Sequence, residues 1–167
     1  MKKSKLILII ARKGSKDNVS RQNLRLVNEK PLIYYIINTA KKCQSADVFV
    51  STDSEELQEI AFLNNVEVIK RPKSLITDST TLEEISYHAL IELKKMNKNY
   101  KKCLVLHPKF PLIKVSTINR FFSQLNKQKK SFFGFTSNDE HSFQKINSKN
   151  HRLLPLKTHN HNIVKQE

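Results

Sequence analysis

Lys5–Ile10 (KLILII) is a short apolar run that passes directly into a turn crowded with cations: Arg12, Lys13, Lys16, Arg21 and Arg25, with Gly14 among them. This junction restricts the fold more than any other stretch. A wholly apolar β-type run is what a parallel strand buried on both faces requires. A cation-dense turn after it suits an anionic ligand held beyond the strand's carboxyl end. Each cation a few Å from a phosphate oxygen gains about 4 kcal/mol at an effective dielectric of about 20, before desolvation. The spacing matches neither a Walker A loop nor GxGxxG. A solvated basic loop in a Lys-rich chain therefore stands as the plainer alternative.

The rest of the chain repeats the order strand, loop, helix. Pro31 opens a helix to about Lys42, with Leu32, Ile33, Ile36, Ile37 and Ala40 on one face. Asp47–Thr52 reads as the second strand, and Asp53 or Ser54 caps a helix burying Leu57, Ile60 and Ala61. Val66–Ile69 is the third strand. Thr81 and Glu84 form a capping box for a long helix striped by Leu82, Ile85, Ala89, Leu90 and Leu93. Cys103–Leu106 is the fourth strand. Ser116 caps a helix carrying Ile118, Phe121, Phe122 and Leu125, and Ser131–Phe135 is the fifth strand. Alternating units of this kind build a mostly parallel sheet with helices on both faces. Residues 1–136 are expected to form a nucleotide-binding α/β domain, and 137–167 an irregular polar tail.

The length of 167 residues suffices for a proper core, and the net charge of +15 favours anionic partners without choosing among them. The two cysteines, Cys43 and Cys103, sit in apolar patterns and propose neither a disulfide framework nor a metal cluster. His141, His151, His159 and His161 lack zinc-ligand spacing. The apolar run after MKKSK is too short for a signal peptide and no stretch is long enough to span a bilayer, so a cytoplasmic location is expected. Polar groups gather at the carboxyl ends of the strands: Arg12, Ser15, Lys16, Arg21 and Asn23 after the first; Ser51, Thr52 and Asp53 at the second. Arg71 follows the third strand, and His107 and Lys109 the fourth.

Five segments then occur in one order: IIARKGSK…RQNLR, VSTD at 50–53, KRP at 70–72, TDSTT at 77–81 and LHPKFPL at 106–112. Together they resemble the acylneuraminate cytidylyltransferases, which activate sialic acid and related nonulosonic acids. The resemblance covers roughly residues 5–125 and continues weakly to the end. It implies a three-layer, Rossmann-like α/β sheet of the nucleotide-diphospho-sugar transferase type, with the C-terminal part of the family domain missing. The implied reaction joins CTP and a nonulosonic acid to give a CMP-sugar and pyrophosphate, with Mg²⁺ as cofactor.

The resemblance carries roles residue by residue. It places Arg12, Lys16 and Arg21 in catalysis. Nucleotide contacts fall on Ile10, Ala11, Arg12, Gly14, Ser15, Asn23, Arg71, Thr81 and His107. Sugar-acid contacts fall on His107, Lys145 and Lys165. No metal ligand is assigned, because the family's Asp-x-Asp pair has no counterpart in this chain. The family loop reads close to ARxGSKGxPxKN, and its lysine before the asparagine falls on Gln22; Arg21 stands one position earlier. The family's QPTSPLR becomes His107–Ile113, which loses the final arginine. CTP and a nonulosonic acid are the implied partners, with no membrane and no nucleic acid. A homodimer is open, although the family's dimerisation region is not matched. A catalytically impaired relative that binds CTP or CMP is an alternative, and a 3-deoxy-manno-octulosonate cytidylyltransferase is a sibling. A basic nucleic-acid-binding domain would need aromatics interleaved with cations on an exposed face; most phenylalanines here fall in core patterns instead.

Overall fold

The structure is a computed structural model describing residues 3–14, 21–77, 79–127, 132–133, 143–146 and 153–156. Its centre is β1 (Lys5–Ile10), with Leu6 to Ile9 at 0% exposure. Two short strands follow, β2 (Leu26–Val27) and β3 (Lys30–Pro31), paired antiparallel. Asn28 and Glu29 between them both have positive φ, 45° and 61°, as a two-residue type I′ hairpin requires. The sequence reading missed this ribbon and gave Pro31 to the helix. Pro31 instead precedes α1 (Leu32–Lys41), with extended backbone.

Then come β4 (Ala46–Thr52), α2 (Glu55–Leu63), β5 (Glu67–Lys70), α3 (Leu82–Lys95), β6 (Lys102–Leu106) and α4 (Val115–Lys127). The strands β5-β4-β1-β6 form one sheet, and every pairing in it is parallel. This is the α/β architecture expected from the repeated strand–helix order. Leu6, Leu8 and Ile10 point to one face and pack with Phe49, Ile69 and the α3 residues Ile85, Ala89 and Leu93. Ile7 and Ile9, of opposite parity, are equally buried. On helix α1, Ile33, Ile36, Ile37 and Ala40 are the buried stripe, and the helix contacts β1 and β4.

Several boundaries differ from expectation. Leu82 and Leu90 were assigned to the buried stripe of α3 but are 47% and 37% exposed; helical periodicity cannot tell the flank of a stripe from its centre. Ser116 lies inside α4 rather than capping it. Phe132–Phe133 (β7), expected as a fifth parallel strand, instead pairs antiparallel with β8 (Phe143–Ile146), which pairs with β9 (Leu153–Leu156). Residues 137–167, read as irregular, thus contain strands. The chain separates into compact units Met1–Asn119 and Arg120–Glu167. Cys43 and Cys103 are free thiols whose pKa values burial raises, which suits inert core groups. Among the described residues, no helix is long and apolar enough to cross a membrane.

Candidate active site

Register brings the strand ends into line: Ile10 lies opposite Ser51, and Thr52 opposite Lys70. Ala11 N–H then donates to the Ser51 carbonyl at 3.0 Å, and Arg71 N–H to the Thr52 carbonyl at 2.9 Å. The sheet hydrogen bonding thereby continues one residue beyond both β1 and β5, and delivers Arg12 and Arg71 to the same edge.

Arg71 is 3% exposed. Its Nη2 donates to the Ser51 carbonyl at 2.9 Å and to the Ala11 carbonyl at 3.4 Å. A buried guanidinium thus ties the ends of β1 and β4 together. Burial pushes its pKa down, with Arg12 adding to that and Asp53 opposing it. Asn23 holds the far end of the loop, donating from Nδ2 to the Arg12 carbonyl at 2.9 Å while 5% exposed. Four buried polar atoms here have no protein partner among the described residues: Asn23 Oδ1, Ser51 Oγ, Asp53 Oδ1 and Arg71 Nε. Unpaired buried polar atoms are uncommon in folded proteins, and water or ligand is their usual partner.

A cleft of about 200 Å³ opens at this edge. Arg12, Arg71 and His107 line it together with the hydroxyl-bearing Thr77 and Thr80. Its apolar wall comes from Ile10, Leu82 and Ile85, with Leu75 and Ile76 beside them. Two guanidinium groups therefore share one cavity with hydrogen-bonding side chains and an apolar surface. That combination can hold an anion joined to a flat, polar-edged ring.

His107 is neutral here. Burial, then Lys109, Arg12 and Arg71, push its pKa down to about 4. Its Nδ1 accepts the Lys109 N–H at 3.1 Å, so the ring proton sits on Nε2 and the imidazole is a hydrogen-bond donor. It is a poor base at neutral pH. The shift has a stability consequence. An unfolded histidine takes a proton near 6.5, so the unfolded state binds it first as pH falls. The stabilisation is fully present above about pH 6.5 and is lost as pH drops toward 4, by up to about 3 kcal/mol. Urea unfolding at about pH 4.5 and about pH 7 should show that loss, and His107→Gln should remove it from the difference.

Other expected site residues fall elsewhere. Thr81 does not line the cleft; its hydroxyl accepts Glu84 N–H at 3.2 Å while Thr81 N–H donates to Glu84 Oε2 at 2.8 Å, a complete capping box. The neighbouring Thr77 and Thr80 of the TDSTT segment are the ones at the cavity. Arg21 is also absent from the lining. Its Nη2 lies 2.9 Å from Glu56 Oε1. The Ala11 carbonyl is taken by Arg71, whereas Ile10 lines the cavity. Among the described residues nothing comes close to where a Cβ on Gly14 would sit, and its φ is not positive. Ser15, Lys16 and Lys165 lie outside the described residues, as does the side chain of Lys145, which belongs to β8. The resemblance implies Mg²⁺. No carboxylate lines the cleft, and no group of three or more acidic, histidine or cysteine side chains gathers among the described residues. These residues do not make a Mg²⁺ site by themselves.

The parallel sheet, with a cationic cleft at its carboxyl edge, defines an α/β protein built to meet an anionic ligand. The chain belongs to the cytidylyltransferase family, whose model matches residues 6–167. It is 34% identical over 111 residues to the N-acylneuraminate cytidylyltransferase of Escherichia coli O18:K1:H7, covering 65% of this chain and 25% of that protein. It is 31% identical over 115 residues to the CMP-N,N'-diacetyllegionaminic acid synthase of Legionella pneumophila, covering 68% of this chain and 49% of that one. The chain thus spans between a quarter and a half of the length of these relatives. A solved CMP:2-keto-3-deoxy-manno-octonic acid synthetase, complexed with CTP, has the same fold, with a TM-score of 0.59 and 15% identity over 79% of this chain and 53% of its own.

Proposed function

We propose that the cleft binds CTP and that the protein carrying it transfers a CMP group to a sialic-type nonulosonic acid. One observation supports this above the others: Arg12 and Arg71, from different strands, line one cavity with His107, Thr77 and Thr80. In the proposed reaction the sugar's anomeric hydroxyl attacks the α-phosphate. The new bond is oxygen to phosphorus, the hydroxyl's proton passes to water, the α–β phosphoanhydride bond breaks, and pyrophosphate leaves with its electron pair. Negative charge grows on the phosphate oxygens and the leaving group, so positioned cations lower the barrier with no covalent protein chemistry. Arg12 is the half-buried cation able to meet that charge. Arg71 holds the strand ends and adds its field. The His107 Nε2–H and the threonine hydroxyls offer polar contacts to base or sugar, against the apolar wall.

The name of the Escherichia coli relative supports a sialic acid, and that of the Legionella relative a legionaminic acid, so the class rather than the individual sugar is proposed. A second reading, nucleotide binding without turnover, is favoured by one observation: Gln22 carries no charge and Arg21 is paired with Glu56. Calorimetric titration tests the first level, with CTP expected to bind and ATP to bind at least about tenfold more weakly, since a fitted pocket rejects the wrong polar edge. Equal affinities would refute a cytidine site. Formation of CMP-sugar by this chain would then exclude the second reading.

A further inference from the structure

Both ends of the cationic loop converge on one carboxylate. Glu56, in the first turn of α2, meets Lys13 Nζ at 3.5 Å and Arg21 Nη2 at 2.9 Å, both on Oε1. Its other oxygen, Oε2, accepts the Ser54 hydroxyl at 2.6 Å. Ser54 is 1% exposed and caps α2, accepting Leu57 N–H at 3.4 Å. The carboxylate is thus anchored through a buried helix cap at the carboxyl end of β4. Arg21 reaches it from a left-handed backbone, φ 55° and ψ 34°, a conformation an arginine rarely adopts unless its surroundings hold it. The Ser54 hydroxyl, a backbone N–H and the two cations keep Glu56 below the usual carboxylate range, so it is charged at neutral pH.

Resting on the CTP reading above, we infer that Glu56 is an internal counter-ion that competes with a bound polyphosphate for Lys13 and Arg21. In this way it sets how strongly the site separates a nucleoside triphosphate from a monophosphate. Lys13 follows Arg12 directly in the chain, and Arg12 lines the cleft. A single phosphate in the cleft meets Arg12 without disturbing Glu56. The outer phosphates of a triphosphate extend toward Lys13 and Arg21 and gain them only by displacing the carboxylate. The side chains of Lys13 and Arg21 are 57% and 58% exposed, so their pairs with Glu56 are weak enough to yield to a denser anion. Each displacement nevertheless subtracts from triphosphate affinity alone.

The test uses metal-free CTP and CMP, titrated calorimetrically into the full chain and into Glu56→Gln. The glutamine keeps the shape and the acceptor for Ser54 but not the charge. CTP should bind about three- to tenfold more tightly to the variant, the release expected from two exposed ion pairs, and CMP should bind as before. Glu56→Ala, with thermal unfolding to confirm the fold, should do the same. Unchanged or weaker CTP binding, or equal tightening of CMP, overturns the inference while the CTP reading stands. Wild-type chain that binds no CTP overturns both.

Discussion

Replacing Arg12 by alanine is expected to remove CTP binding, raising Kd by about two orders of magnitude. Arg12 is the half-buried cation of the cleft, and its backbone is fixed on both sides. Ala11 before it is hydrogen-bonded to Ser51, and its own carbonyl takes the Asn23 amide. A guanidinium so placed can meet phosphate at little further ordering cost. The gross attraction of about 4 kcal/mol per cation–phosphate contact at an effective dielectric of about 20 falls to about 2 to 3 kcal/mol net for a charged hydrogen bond. Calorimetry reads the effect directly. Unchanged affinity in a variant with unaltered thermal unfolding would mean that the turn after β1 does not hold the phosphates. Arg12→Lys should recover only part of the loss, because an ammonium lacks the planar fork.

Arg71→Ala is expected to cost about 3 to 5 kcal/mol of folding stability as well as CTP affinity. The residue is 3% exposed and donates to the carbonyls of Ser51 and Ala11. Truncation leaves both acceptors without their partner and opens a void where β1, β4 and β5 end. Arg71→Met separates the two contributions. It fills most of the volume without a donor, so the difference between the alanine and methionine variants measures the void, and the loss that methionine retains measures the carbonyls. Urea unfolding supplies the numbers. A loss under about 1 kcal/mol for alanine would show that water replaces the guanidinium without penalty.

Much of the sheet was legible because its strands are short and largely apolar. KLILII, DVFVST and CLVL are short runs rich in branched aliphatic residues, which favours strand, and strand–helix alternation then leaves few topologies. The capping box of Thr81 and Glu84 was equally plain, since it rests on two residues three positions apart. What the sequence did not disclose depends on contacts between distant segments. Thr81 and Thr80 look equivalent in TDSTT; only the start of α3 decides that one hydroxyl caps the helix and the other lines the cleft. Arg71 was read as a ligand for nucleotide, and nothing local tells that its Nη2 serves Ser51 and Ala11. Arg21 looked free to supply a missing lysine's charge, yet Glu56 claims it from thirty-five positions away. The β2–β3 ribbon escaped notice because an Asn-Glu turn lacks the glycine that usually marks a type I′ hairpin.

The position of β1 has a consequence for how the chain is made. Its neighbours are β4 on one side and β6 on the other, so the earliest of these four strands to be synthesised is an interior one. One edge can pair once Thr52 has emerged; the other waits for Leu106. During that interval Leu6 to Ile10 present unpaired backbone beside aliphatic side chains, a strip open to other chains. Translation that pauses between α2 and β6 would therefore lengthen the time for which that strip lacks its second partner.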